Sequence, residues 1–363
     1  MIDKFLQILI EKNASDLHLK VGNKPIIRLN GSLEKLENEE ILTVEVMADI
    51  IDKIIPNEKR KNELKEELST DFSYSLSGLG RFRINISLTR GSYLLVARAV
   101  PFHVPTIDEL KLPEILKKIA GEKNGIVLVT GATGSGKSTT VAAIIDYINS
   151  TYNKNIISFE EPIEYLHKDK KSIISQKEIP DDIKDYKSAL KYVLRQDPDI
   201  IFMGELRDKE TIEAALKASE TGHLVISTLH TVTAVKSVNR ILDYFDADRA
   251  KSIRNQLSEN VRAIVSQRLM KTVAEGKRVI TEIMINTGTI SELLQTEEGM
   301  RKIPEIIKKS ESLGMKNFDS EILKLYKENI IDYETAYENS TIKTELEMAK
   351  SGITSGLGSG MYY

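Results

Sequence analysis

Gly131-Ala132-Thr133-Gly134-Ser135-Gly136-Lys137-Ser138 matches the spacing G-x-x-x-x-G-K-[ST] at every fixed position. It lies between an apolar run, Ile126-Val127-Leu128-Val129, and a helical pattern opening with Thr139-Thr140-Val141-Ala142-Ala143. In that strand–loop–helix setting, backbone N–H groups and a helix N-terminus converge on phosphate. Gly131, Thr133, Gly134, Ser135, Gly136 and Thr139 are the candidates for the cradle. Gly134, a glycine beyond those the pattern requires, lets the backbone turn inward. Lys137 is placed to reach the β- and γ-phosphates, and the Ser138 hydroxyl to hold Mg²⁺. The expected ligands are ATP and Mg²⁺.

At 363 residues the chain exceeds one typical core, and two domains plus a helical tail are expected. A hydrophobic fraction of 41% with 29% charged residues describes a soluble globular protein. Lys+Arg number 51 against 54 Asp+Glu, a net charge of −3, which gives no support for wholesale nucleic-acid binding. No apolar run approaches a membrane span. The opening Met1-Ile2-Asp3-Lys4-Phe5-Leu6 reads as an amphipathic helix with internal charges, not a signal peptide. Cysteine is absent, so disulfides and thiolate-held zinc are excluded, and a cytoplasmic location is expected.

Working outward, residues 1–12 read as a helix, and 16–21 and 26–29 as strands with an Asn30-Gly31 turn behind them. Thr43 to Lys61 looks like one helix. Residues 71–76, 81–88 and 92–100 alternate polar and apolar side chains, as half-buried strands do. Residues 1–100 are thus expected to form a small α+β domain with an antiparallel sheet. Pro101, Pro105 and Pro113 mark a linker and hinge at 101–113. Apolar strands at 126–129, 156–159, 200–203, 224–228 and 279–285 then alternate with helices, which implies an α/β core over 114–290 with a largely parallel sheet. Short charged helices follow over 291–350, and 351–363 reads as a flexible tail.

In an open α/β sheet, ligands sit at the carboxyl ends of the strands. Strand 156–159 runs into Glu160-Glu161-Pro162-Ile163-Glu164, strand 200–203 into Gly204-Glu205, and strand 224–228 into Leu229-His230. Two carboxylates and an imidazole therefore converge on the γ-phosphate. Hydrolysis needs one group to orient water and one to support Mg²⁺. Glu205 is assigned to the water and Glu160, with Ser138, to the metal, the reverse remaining open. His230 is the candidate γ-phosphate sensor. His223, after Thr221-Gly222, is a further candidate for nucleotide contact.

The run Ile126 to Ser138, the acidic box Ser158 to Glu164, the stretch Leu194 to Asp208, and Thr221 through Thr231 together resemble the secretion-type ATPases. Within them the likeness is to the retraction ATPases of type IV pili, the twitching-motility PilT family. It extends to Ala14-Ser15-Asp16-Leu17-His18-Leu19, to Arg81-Phe82-Arg83-Ile84-Asn85, and late to Gly314-Met315 and Phe318-Asp319. The resemblance implies a homohexameric ring of chains, each with a PAS-like N-terminal domain joined to a RecA-like core and ATP between the two. Arg81, Arg83 and Arg98 are the candidates to reach the triphosphate, since guanidinium groups suit phosphate charge. It also implies a motor for pilin disassembly at the inner face of the cytoplasmic membrane. That motor would work against an inner-membrane platform protein, touch the membrane only through partners and bind no nucleic acid directly.

Three stretches depart from the family pattern. Glu161 replaces the aspartate of the acidic box, and Val232 stands where asparagine is common. Thr289 to Glu297 replaces an Ala-Ile-Arg-Asn-Leu-Ile-Arg-Glu motif, with Ser291 and Gln295 in place of its arginines. The alternatives are a pilus-assembly or type II secretion ATPase and, more distantly, a RecA-like nucleic-acid motor.

Overall fold

A computed structural model describes residues 1–101, 103–274 and 276–351. All but the first residue of the expected flexible tail lies outside the described residues. The chain divides into two compact units, one of residues 1–103 with 162–166, the other of 104–161 with the chain from 167 onward. Among the described residues no helix is long and apolar enough to cross a membrane.

The first unit runs α1 (Ile2–Glu11), β1 (Asp16–Lys20), β2 (Ile26–Leu29), β3 (Ser32–Lys35), α2 (Val44–Ile54), α3 (Glu58–Glu67), β4 (Ser69–Leu76), β5 (Gly80–Thr89) and β6 (Ser92–Ala99). Ile2, Phe5, Leu6 and Leu9 recur at helical spacing in α1, and all four are buried. The sheet is antiparallel throughout, in the order β3-β2-β1-β6-β5-β4. Leu17, Leu19, Ile27, Ile84, Ile86, Leu95 and Ala97 join one core with the helices. Asn30 and Gly31 both take positive φ, 49° and 85°, which turns β2 tightly into β3. β3 has every residue exposed, so no hydrophobic alternation announces it.

The single helix expected over 43–61 is instead two. Pro56 lacks an N–H and pushes Ile55 to extended backbone, ψ 120°. Thr43 and Asn57 cap the two pieces with side-chain oxygens.

The second unit continues with α4 (Ile115–Ala120), β7 (Gly125–Thr130), α5 (Lys137–Thr151), β8 (Asn155–Glu160), β9 (Ile173–Glu178), α6 (Tyr186–Val193), β10 (Ile200–Met203), α7 (Lys209–Glu220), β11 (Leu224–Leu229), α8 (Ala234–Leu242), α9 (Ala247–Asn260), β12 (Val261–Lys271) and β13 (Lys277–Ile285). The sheet order is β13-β12-β7-β11-β10-β8-β9, and only the β12–β13 pair is antiparallel. Strand residues alternate between two cores. Ile126, Leu128, Ile157 and Phe159 meet α6 to α9, whereas Val127, Val129 and Ile156 meet α4 and α5. The near-continuous apolar runs of β7, β10 and β11 follow from this two-sided burial. Ile107 and Leu112, from the proline-marked linker, are buried in the second of these cores.

Among the described residues six short α-helices follow: α10 (Gly288–Leu294), α11 (Glu297–Met300), α12 (Ile303–Lys309), α13 (Phe318–Lys327), α14 (Tyr333–Asn339) and α15 (Lys343–Lys350). Lys316 pairs with Ile283 on the outer edge of β13.

Candidate functional site

The loop Gly131–Gly136 joins the end of β7 to the start of α5, with Gly136 as the helix N-cap at φ 88°. Lys137 is buried, and its Nζ donates to the Gly131 carbonyl at 2.9 Å and the Ala132 carbonyl at 3.2 Å. The ammonium therefore lies in the mouth of the loop, where phosphate oxygens can replace those carbonyls as acceptors. Ser138 and Thr139 occupy the first turn of α5, where helix N–H groups and dipole favour an anion.

A wall of the loop comes from β12. Gln267 Nε2 donates to the Ser135 carbonyl at 2.7 Å, and the Gln267 backbone oxygen stands 2.5 Å from where a side chain on Gly131 would begin. Ser135 Oγ and Gln267 Oε1 are buried without a hydrogen-bond partner. Neither β12 nor Gln267 is evident from the sequence, because Ser266-Gln267-Arg268 interrupts the apolar pattern. Beside the start of α5 a cleft of about 770 Å³ is lined by Gly136, Thr139 and Thr140 on one side and Leu269, Thr272 and Val279 on the other.

The ends of β10 and β11 bring the next residues together. Thr228 Oγ1 donates to the Gly204 carbonyl at 2.6 Å, and the Leu206 N–H to the Thr228 carbonyl at 3.1 Å, so Glu205 is held between two fixed points. His230 Nε2 lies 3.5 Å from Glu205 Oε1. Its Nδ1 lies 3.4 Å from Lys137 Nζ and 3.5 Å from Thr133 Oγ1. An ammonium can only donate, so Nδ1 is the acceptor and the proton sits on Nε2, facing the carboxylate. Lys137, Thr133, His230 and Glu205 thus form one contiguous set.

Glu160 ends β8 and is buried. Ile156, Ser158 and Glu160 share a face by the strand period, the face that α5 covers. Glu160 Oε1 accepts from Ser158 Oγ at 2.7 Å and from Gln176 Nε2 at 3.0 Å. The other carboxylates of the box go elsewhere. Glu161 pairs with Arg207, and Glu164 is exposed within 162–166, the segment grouped with the first unit. The oxygens of Ser138 and Glu160 suit a hard cation such as Mg²⁺, which takes one or two protein oxygens and completes its shell with phosphate and water.

His223 is not brought to this end of the sheet. It precedes β11, its carbonyl accepts from Gly125 N–H at the start of β7, and its ring contacts Thr221 Oγ1 and the Ala218 carbonyl. A strand of this length separates it from Gly131 by roughly 20 Å. The pattern Thr221-Gly222-His223 marks the turn into a strand, and only that strand's far end reaches the loop.

In the first unit Arg28, Asp16, Arg98 and Arg83 are successive register partners across β2, β1, β6 and β5, a row on the face opposite the apolar core. Arg98 Nε donates to Asp16 Oδ1 at 2.7 Å. Arg81 donates to Ser75 Oγ at 3.2 Å. Arg83 forms no ion pair among the described residues and stands directly opposite Arg98, so this row carries more positive charge than it neutralises.

A glycine-rich loop with its lysine, carboxylates at two strand ends and an imidazole at a third, on a mainly parallel sheet, define a P-loop nucleoside triphosphatase. More narrowly, the chain belongs to the Type II/IV secretion system protein family, whose model matches residues 1–330. It is 40% identical over 341 residues to the type IV pilus retraction ATPase PilT of Pseudomonas aeruginosa, covering 94% of this chain and 98% of that one. It is 40% identical over 313 residues to a twitching motility protein of Neisseria gonorrhoeae, covering 86% and 83%. The crystal structure of the pilus retraction motor PilT with bound ADP superimposes with a TM-score of 0.85 at 40% identity, over 94% of this chain and 98% of that one.

Proposed function

We propose that this chain is the ATPase motor of type IV pilus retraction, which couples hydrolysis of ATP to pilin disassembly and hence to twitching motility. The likeness to retraction ATPases, running over nearly the full length of both chains, supports the biological role. The observation that carries the chemistry is the His230 ring set between Lys137 Nζ and Glu205.

In this reading Lys137 and the N–H groups from Gly131 to Thr139 hold the β- and γ-phosphates. The cleft between Thr140 and Leu269 takes the base and ribose. Glu205 orients a water and accepts its proton as the water oxygen bonds to the γ-phosphorus. The bond from that phosphorus to the bridging oxygen breaks, and ADP leaves with the electron pair. His230 keeps Glu205 aligned through Nε2–H and reads the γ-phosphate through its neighbour Lys137. Ser138 and Glu160 would hold Mg²⁺, which when bound would supply positive charge to offset that of the phosphates. Arg83 and Arg98, with Arg81, are proposed as further cations on the triphosphate, and Arg83 is the best suited because no carboxylate among the described residues pairs with it.

The chain is further read as a subunit of a homohexameric ring at the inner face of the cytoplasmic membrane, acting on an inner-membrane platform protein. Its core over 114–290 is read as RecA-like, its first 100 residues as a PAS-like module, 101–113 as the connection and 291–350 as a helical C-terminal region. One observation favours the assembly or type II secretion reading instead. In α10 the Ser291 hydroxyl is spent on the Ser258 carbonyl at 2.8 Å, and Gln295 is the helix C-cap, where retraction ATPases carry arginines. Deleting the gene decides between them. Cells that keep pili and lose retraction support the proposal, and cells without pili overturn it in favour of assembly.

A further inference from the structure

We infer that Gln176 is a positioning residue for the hydrolytic centre: its side-chain amide sets the Glu160 carboxylate and closes the acidic loop behind it. The inference rests on the reading of Glu160 given above. Gln176 lies on β9 as the register partner of Ser158, and Glu178 as the register partner of Glu160. Residues two apart on a strand share a face, so Ser158, Glu160, Gln176 and Glu178 all point to one side of the sheet. Three hydrogen bonds use that arrangement. Ser158 Oγ and Gln176 Nε2 both donate to Glu160 Oε1, at 2.7 and 3.0 Å. Gln176 Oε1 accepts the backbone N–H of His167 at 2.9 Å.

The orientation of the amide follows from its neighbours. Its oxygen must face the N–H and its nitrogen the carboxylate, because the reverse would set oxygen against oxygen and N–H against N–H. Glu160 starts the acidic loop and His167 ends it, so one planar group ties both ends. Two neutral donors on one oxygen fix the rotation of the carboxylate. Gln176 is neutral, bidentate and of the right length. Asparagine would fall short of Glu160, and glutamate would add a third acid to the cluster.

The test uses the full chain and measures ATP turnover against Mg²⁺ concentration for wild type, Gln176→Ala, Gln176→Glu and the reference Glu160→Gln, with thermal melts as a folding control. Gln176→Ala should lower kcat or raise the Mg²⁺ needed for half activity by roughly 10–100-fold, the usual scale for a group that orients a metal-site or catalytic carboxylate. Its KM for ATP should stay within about threefold, because the phosphate cradle is untouched. Gln176→Glu is the second variant: it can still accept the His167 N–H but sets an acceptor oxygen against Glu160 Oε1 in place of a donor, so it should raise the Mg²⁺ requirement or lower kcat at least as much as Gln176→Ala. Wild-type turnover and Mg²⁺ dependence in Gln176→Ala or in Gln176→Glu overturns the inference. Wild-type turnover in Glu160→Gln would instead overturn the role given to Glu160, a separate failure.

Discussion

Replacing Gly131 by alanine asks whether β12 shapes the phosphate loop as firmly as the loop's own glycines do. A Cβ at 131 would stand 2.5 Å from the Gln267 carbonyl oxygen and 2.5 Å from Ser135 Oγ, on a backbone with φ of +151°. The carbonyl cannot easily withdraw. It belongs to β12, which is laddered to β7 up to the pairing of Ser266 with Thr130, one residue away. Overpacking of this kind costs about 1–3 kcal/mol, and the positive φ adds about 1 kcal/mol. Alanine at Gly134 meets nothing within 4 Å and bears only the penalty of φ +77°, again about 1 kcal/mol. With roughly 2–4 °C of melting temperature per kcal/mol in a domain of this size, Gly131→Ala should melt about 5–15 °C below wild type and Gly134→Ala only about 2–4 °C below. Circular-dichroism melts without nucleotide measure both. Equal losses, or a larger loss at Gly134, would show that the β12 wall does not constrain the loop.

Mg-ATP at about 100-fold excess over its dissociation constant should stabilise the wild type by about 2.7 kcal/mol, and Lys137→Ala should lose most of that shift in a thermal melt. Glu205→Gln should keep the shift and lose turnover by roughly 10²-fold or more; near-normal hydrolysis would refute the assignment of the water to Glu205. Arg83→Ala should cut hydrolysis more than Arg98→Ala, whose guanidinium is already engaged by the buried Asp16, and Arg83→Ala should keep a wild-type melting curve whereas Arg98→Ala should melt lower. Burial pushes the His167 imidazole down to about 4, opposed by the Asp146 charge and reinforced by that of Lys170. The folded state thus resists a proton that the unfolded chain takes up near the ordinary 6.5. The resulting stabilisation, up to about 3 kcal/mol, is present above that value and lost as pH falls from about 6.5 to 4. Denaturant titrations should show that slope, and His167→Asn should flatten it.

The parts of this molecule that carry an uninterrupted signal were legible in advance. The loop Gly131–Ser138, the buried strands β7, β10 and β11, and the alternating strands β4 to β6 each announce themselves through one periodicity, because a single environment acts along their whole length. The sequence does not mark the strands whose residues serve two ends at once. β9 reads Ile-Ile-Ser-Gln-Lys-Glu and β12 passes through Ser266-Gln267-Arg268, so polar residues that belong to the site break the apolar pattern that would mark the strand. β3 is exposed along its length and has no pattern to break. His223 failed for a different reason: a motif gives order along the chain, and a strand lies between its two histidines, so only His230 reaches the loop.

Two amides that no sequence pattern marks bear on the chemistry most directly. Gln267 and Gln176 neither react nor carry charge, and each holds another part of the site in place: one the Ser135 turn of the phosphate loop, the other the Glu160 carboxylate. A search for titratable residues in a sequence selects the groups that change protonation state and passes over those that keep them in place. Transfer of a phosphoryl group depends on position and fixed charge more than on covalent chemistry, so the supporting residues should matter nearly as much to turnover as the carboxylates they serve. That expectation is physical rather than particular to one fold. It predicts that further supporting residues lie on the strands flanking the carboxylates, at register positions opposite them, as Gln176 lies opposite Ser158.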